Sequence, residues 1–240
     1  MMFDNTTILS TVIILLMAIL SVLLRKLTVQ AGIAGGLIAL LLWEAFHFTG
    51  LLMLGSFFVL GSMATSWKSS KKIQLPSSHE NESQRTVGQV LANGGIAGIL
   101  AASALLISEQ QLLFQLMMAG SFAAALSDTF SSEFGNVYGK RFYNICTFQK
   151  DKRGENGVVS LEGSLAGIAG AGIIAGLFVI VHQCDNCFLI LLIAGISGNF
   201  VDSLLGAKFE RRGLIGNNLV NLLNTAAGAF LAWLVMTIGN

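Results

Sequence analysis

The chain is predicted to be an all-α, polytopic transmembrane bundle of about eight helices, with its N- and C-termini outside. Three observations carry this. Hydrophobic residues make up 54% of the 240 and charged residues 11%, against about 25% charged in a soluble domain, so most of the surface cannot face water. Apolar stretches close to the roughly 20 residues that span a bilayer recur along the chain. With eight crossings every Lys and Arg falls on one side, the bias that cytoplasmic loops carry.

The apolar segments run over 7–24, 29–48, 51–67, 87–107, 112–126, 160–181, 188–205 and 219–238. The third and fifth are short, so seven is the alternative count, but dropping one scrambles the charge pattern. The loops on the basic side hold Arg25 and Lys26, then Lys68, Lys71, Lys72 and Arg85, then Lys140, Arg141, Lys150, Lys152 and Arg153, and finally Lys208, Arg211 and Arg212. The opposite loops hold only Asp4, Glu109 and Asp185 as charges. No basic stretch precedes the first segment, which is expected to be a retained helix and not a signal peptide. One integral membrane domain is expected, with three helices in 1–68, a cytoplasmic loop at 69–86 containing Pro76, Ser77, Ser78, His79 and Glu80, and a motif-bearing part at 87–240. The 27 glycines suit close helix packing in lipid.

Other features exclude more than they suggest. The net charge of +1 gives no footprint for nucleic acid, and no such partner is expected. Cys184 and Cys187 form a CxxC without a second pair to complete a zinc site, and Cys146 stands alone, so a structural or incidental role is expected. His47, His79 and His182 show no ligand spacing, and Glu44 reads as interfacial.

Four polar runs carry the chemistry. The first, Ser127-Asp128-Thr129-Phe130-Ser131-Ser132-Glu133-Phe134-Gly135-Asn136, continues the fifth apolar segment without a break. Asp128, Ser131, Ser132 and Gly135 share a face at helical spacing. An acid at the end of a membrane helix is costly unless paired, hydrated or metal-bound. Asp128 and Glu133 with the hydroxyls of Thr129 and Ser132 form a hard-oxygen set suited to nucleotide-borne Mg²⁺; a polar helix end is the plainer reading. The second run, Thr147 to Ser164, leads from Lys150 and Arg153 through Gly154, Glu155, Asn156 and Gly157 into a helix start at Ser160 and Glu162. Backbone N–H groups and a positive helix end attract phosphate, although capping and the positive-inside bias explain part of it. The third, Gly198 to Ala207, places Asp202 and Ser203 at a helix exit as Asp128 and Thr129 are placed, which suggests two acids converging on one metal–phosphate cluster. The fourth, Gly216 to Asn224, offers Asn217 or Asn218 as a cap, with Asn218 or Asn221 as site candidates. More weakly, Arg85, Gln89 and Asn93 share a helix face that either lines the site or packs.

These runs resemble those of the integral membrane family that contains chloroplast phytyl-phosphate kinase and uncharacterised bacterial, archaeal and animal relatives. The likeness rests on Ser127–Gly135, Thr147–Gly163, Val201–Ala207 and Asn217–Asn221, in order and spacing over Arg85 to the C-terminus. Asn224 has no counterpart in that pattern. The resemblance implies a CTP-dependent kinase acting on an isoprenyl monophosphate such as phytyl or geranylgeranyl phosphate. Its site would lie on the cytoplasmic face of a bacterial-type inner membrane. Asp128 and Asp202 would hold Mg²⁺ with Glu133 in support, and Lys150 and Arg153 would hold phosphates. The choice of CTP comes from the resemblance alone. A CDP-lipid-forming nucleotidyl transferase and a membrane transporter are the alternatives. Acids gathered at one membrane face argue against a transport path.

Overall fold

The computed structural model of the chain describes residues 5–72 and 84–238. Asp4 and the stretch from Pro76 to Glu80 lie outside them. The described residues form helices α1 (Asn5–Leu23), α2 (Val29–Ser66), α3 (Val87–Leu106), α4 (Gln111–Tyr138), α5 (Leu161–His182), α6 (Asp185–Lys208) and α7 (Asn217–Ile238). A two-stranded antiparallel hairpin, β1 (Tyr143–Asn144) and β2 (Val158–Val159), lies between α4 and α5. All seven helices are long and apolar enough to cross a membrane.

Helix α2 accounts for the difference between seven helices and eight crossings. Its 38 residues would be about 57 Å long if straight, against a hydrocarbon core of about 30 Å. Yet the Lys26 amine donates to the Ser66 hydroxyl at 3.0 Å, so its two ends lie together. The chain doubles back at His47, where φ is 50° and ψ −131°. Gly50 makes the reversal sterically possible: a Cβ there would lie 2.6 Å from the Leu42 carbonyl oxygen. So α2 is a hairpin of two arms, 29–46 and 48–66, and the chain passes eight times between the ends of the bundle. The break falls at His47, inside the second apolar segment of the sequence map.

Helix α4 is the hub. From Leu116 to Ser127 nearly every side chain is buried, and α4 packs on both arms' helix, α3, α5, α6 and α7. Small residues permit this: a Cβ on Gly120 would lie 2.7 Å from the Gly228 carbonyl oxygen, so the α4 and α7 backbones nearly touch. Outward-facing Leu, Ile, Val and Phe side chains cover the bundle's flanks, as lipid contact requires. Hydropathy falls at Ser127, but the helix continues to Tyr138, because the polar run there keeps helical geometry and faces inward.

Caps fix the basic end. Thr28 accepts from the Ala31 N–H at 3.2 Å. Thr86 and Gln89 form a reciprocal capping box on α3. Ser160 accepts from the Gly163 N–H at 3.1 Å. The connection 139–160 folds over this end. The Asn144 carboxamide oxygen accepts from the N–H groups of Cys146 and Thr147 at 2.9 and 3.2 Å, and Asp151 forms an ion pair with Arg211 just beyond α6. At the opposite end Cys184 and Cys187 are disulfide-bonded, with Cα atoms 5.4 Å apart.

Candidate functional site

A cavity of about 270 Å³ opens at the basic end, walled by the second arm of α2, by α3, α4, α6 and α7, and by the loop leading into α5. α4 contributes Asp128, Thr129, Ser131, Ser132, Glu133 and Asn136. α6 contributes Asn199, Asp202 and Ser203, and α7 contributes Asn217 and Asn221, one helical turn apart.

The carboxyls of Asp128 and Asp202 adjoin within hydrogen-bonding reach. Asp202 Oδ2 is buried and accepts no hydrogen bond from any described residue. A buried carboxylate oxygen without a donor is costly, and a divalent cation relieves that cost. No three His, Cys, Asp or Glu side chains among the described residues converge into an all-protein cage. Two carboxylates are the complement that Mg²⁺ takes when substrate phosphates and water fill its other positions. The residues present therefore fit a nucleotide-borne ion. The fully buried Asn224 continues the Asn217–Asn221 face beside Asp202, and its carboxamide, like Asp202 Oδ2, has no hydrogen-bond partner among the described residues; this places a residue that the motif pattern left without a counterpart.

Cations frame the acids. Lys72 Nζ lies 2.5 Å from Glu133 Oε2, with side chains only 5% and 14% exposed. The same amine donates to the Thr65 and Ala64 carbonyls at 2.8 and 3.2 Å, so it is held on the end of α2 and points across to α4. Arg85 is fastened through its backbone: its N–H donates to the Lys26 carbonyl at 2.9 Å, and its carbonyl accepts from Thr28 at 3.1 Å. Its guanidinium carbon sits 5.4 and 5.8 Å from the ring centres of Phe57 and Phe58. Burial holds the Arg85 pKa below its ordinary value while Glu133 opposes that shift, and the group stays cationic at neutral pH.

The family description "Integral membrane protein DUF92" matches residues 12–229. The chain belongs to this family. It is 34% identical over 226 residues to an uncharacterized membrane protein of Methanocaldococcus jannaschii, covering 92% of each chain. It is 30% identical over 221 residues to Protein VTE6, chloroplastic, of Arabidopsis thaliana, covering 85% of this chain and 64% of that one. An uncharacterized membrane protein of Synechocystis is 31% identical over 223 residues, covering 90% and 86%. No solved structure matches. Membership agrees with the resemblance that the four motif runs carry.

Of the sequence-named residues, Asp128, Thr129, Ser132, Glu133, Gly154, Asn156, Gly157, Ser160, Asp202, Ser203 and Asn221 line the cavity. Four do not. Lys150 is exposed on the outer side of the folded connection, bridged to Tyr143. Arg153 donates to the Lys71 carbonyl at 2.8 Å and ties the connection to the α2 end. Glu162 accepts from the Lys140 N–H at 3.3 Å. Asn218 turns outward against Gly88, where a Cβ would meet its amide nitrogen at 2.6 Å, and Asn217 takes the inward position. Glu133 faces Lys72, which distinguishes it from the two adjoining aspartates. Gly157, at φ 75°, uses its left-handed backbone to press onto Ala207 of α6.

Sequence reading missed two charged residues of the cavity wall, Lys72 and Glu210. Lys72 stands in a basic run that the positive-inside bias alone explains, so no sequence signal separates it from Lys68 or Lys71. Arg85, Gln89 and Asn93 were singled out by their shared face, and all three line the cavity.

Proposed function

We propose that this protein is a membrane kinase that transfers the γ-phosphate of a nucleoside triphosphate, CTP by the motif resemblance, to an isoprenyl monophosphate, giving the diphosphate. The observation that carries the reading is the pair of adjoining buried aspartates, Asp128 and Asp202, in a cavity framed by Lys72 and Arg85.

Phosphoryl transfer asks a protein for positioning and charge stabilisation more than for covalent chemistry. An oxygen of the acceptor monophosphate attacks the γ-phosphorus, the bond to the bridging oxygen breaks, and the nucleoside diphosphate leaves. The acceptor is already ionised near neutral pH, so no side chain need act as base. The difficulty is bringing two anions together, and that is the task of Lys72 and Arg85. Asp128 and Asp202 would hold Mg²⁺, which when bound neutralises charge on the phosphates. Glu133 holds Lys72 at the cavity edge. Ser132, Ser203, Asn217 and Asn221 supply hydrogen-bond donors, and the Gly154–Gly157 backbone with the α5 start supplies N–H groups toward phosphate. The lysine and arginine asymmetry supports a cytoplasmic site, with both termini outside. The Cys184–Cys187 bond at the far end suits that orientation.

The test is product analysis. Purified protein, Mg²⁺, labelled CTP or ATP, and phytyl or geranylgeranyl monophosphate are incubated, beside Asp128→Asn, and products are read by mass spectrometry. The expected outcome is a prenyl diphosphate with the nucleoside diphosphate, absent in the variant. A CDP-prenyl product with pyrophosphate would select the nucleotidyl transferase. No turnover with any nucleotide would sink the enzyme reading.

A further inference from the structure

A second cavity, also of about 270 Å³, lies among α1, the two arms of α2, and α3. Its walls are apolar except near one end. It shares Phe57, Arg85, Gln89 and Asn93 with the polar cavity, so the two spaces meet along one wall. Arg85 stands at that junction with Phe57 and Phe58 beside its guanidinium. Away from it the slot passes Ala18 and Met17 of α1, Ile38 of the first arm, and Leu54 and Leu51 of the second.

The slot is kept open by glycines that are not packing contacts. A Cβ on Gly120 would strike backbone, but a Cβ on Gly55 meets nothing within 4 Å, and one on Gly35 meets only Val90 Cγ1 at 3.9 Å. Both face the slot. Small residues that touch nothing leave room for something else.

We infer that this slot takes the single apolar chain of the lipid monophosphate acceptor, with the phosphate held at Arg85 where the two cavities meet; the inference rests on the kinase reading for the identity of the head group. One polar end continuous with the phosphate cavity, one cation at the junction and apolar walls beyond match an anionic head on a hydrocarbon chain. A lipid chain already resides out of water, so entering the slot yields little hydrophobic gain. What the slot supplies is register: it holds the acceptor phosphate at one depth, beside the acids. Gly61 sets that depth, because Arg85 Nη2 lies 3.1 Å from where its Cβ would be. Gly55 is six residues further along the same arm, about 9 Å deeper. A long chain must pass it. The first three crossings, which carry no motif, thereby acquire a task.

The experiment measures equilibrium binding of tritiated geranylgeranyl monophosphate to the full chain in nanodiscs. Gly55→Leu fills the slot, Gly35→Leu fills it from the other arm, and Gly95→Leu, whose Cβ also meets nothing within 4 Å but which lines neither cavity, is the control. The expected result is a Kd raised at least about tenfold in both slot variants, and within about twofold of the parent in Gly95→Leu. Parental affinity in both slot variants, no binding to the parent, or equal competition by two-chain phosphatidate would overturn the inference. Binding needs no turnover, which separates the two readings. A parent that binds the probe and transfers no phosphate keeps the slot and sinks the kinase. Slot variants that phosphorylate the probe at the parental rate do the reverse.

Discussion

The motif-bearing part of the chain, from α4 onward, and the region before α3, from the second arm of α2 to Arg85, meet the same cavity by different means. α4, α6 and α7 bring acids, hydroxyls and amides on helix faces. The region before α3 brings the cations, Lys72 at the end of α2 and Arg85 ahead of α3. Acids inside a membrane protein are conspicuous because they are costly and rare. Lysines and arginines at a cytoplasmic edge are inconspicuous because topology alone explains them. The acids of the cavity were therefore visible in sequence, while of its two framing cations only Arg85 was singled out, through the face it shares with Gln89 and Asn93.

The sharpest way to break that division is to neutralise the acids. Asp128→Asn or Asp202→Asn is expected to lower turnover by about a thousandfold, the scale of losing a main electrostatic group, measured as initial rate with saturating nucleotide. If either variant keeps the parental rate, the acids are not the metal side of the site. Next in size is Lys72→Met. It leaves Glu133 buried without its cation, a loss of about 3–5 kcal/mol where a buried pair is broken. Lys72→Met with Glu133→Leu is expected to regain most of the stability, read by thermal unfolding, but not the turnover. Recovery of both would make the pair purely structural.

Smaller effects sharpen the boundary. Lys150→Met is expected to change turnover less than about twofold, because Lys150 faces outward; surface changes of this kind rarely exceed about 0.5 kcal/mol. A large loss would return it to the site. Smallest is the pH response of the folded connection. The Arg211 guanidinium, then the Lys152 N–H, hold the Asp151 carboxyl well below the usual carboxylate range. A group depressed in the folded state contributes stability above its unfolded value of about 3.9, and loses it as pH falls toward the folded value. The unfolding temperatures of parent and Asp151→Asn should therefore differ at pH 7 and converge as pH drops below 4. A gap unchanged with pH would mean the ion pair contributes nothing.

Much of the fold was legible. The eight crossings followed from placing every cation on one side, and the hairpin in α2 bears that out although its backbone reads as one helix. The turn itself was misplaced toward Thr49 and Gly50, since hydropathy runs unbroken through His47. The extension of α4 past Leu126 was legible as well: the run from Ser127 continues the apolar helix without a break, with Asp128, Ser131 and Gly135 on one face, and the helix runs on to Tyr138; only its end was left open by the falling hydropathy. The hairpin of β1 and β2 had no signal: two-residue strands are too short to alternate. Lys150 and Arg153 were chosen by type and neighbourhood, but only three-dimensional folding of the connection decides which cations face inward. Asn218 and Asn217 differ by one position, a third of a helical turn, which sequence without a fixed helix start cannot resolve.

Asp128 and Asp202 are proposed to form one metal–nucleotide site. Mn²⁺ electron paramagnetic resonance on the protein in nanodiscs, with and without a non-hydrolysable CTP analogue, tests it most directly. One tightly bound Mn²⁺ per chain is expected when nucleotide is present, lost in both Asp128→Asn and Asp202→Asn. No nucleotide-dependent Mn²⁺, or binding unaltered by either substitution, would contradict it.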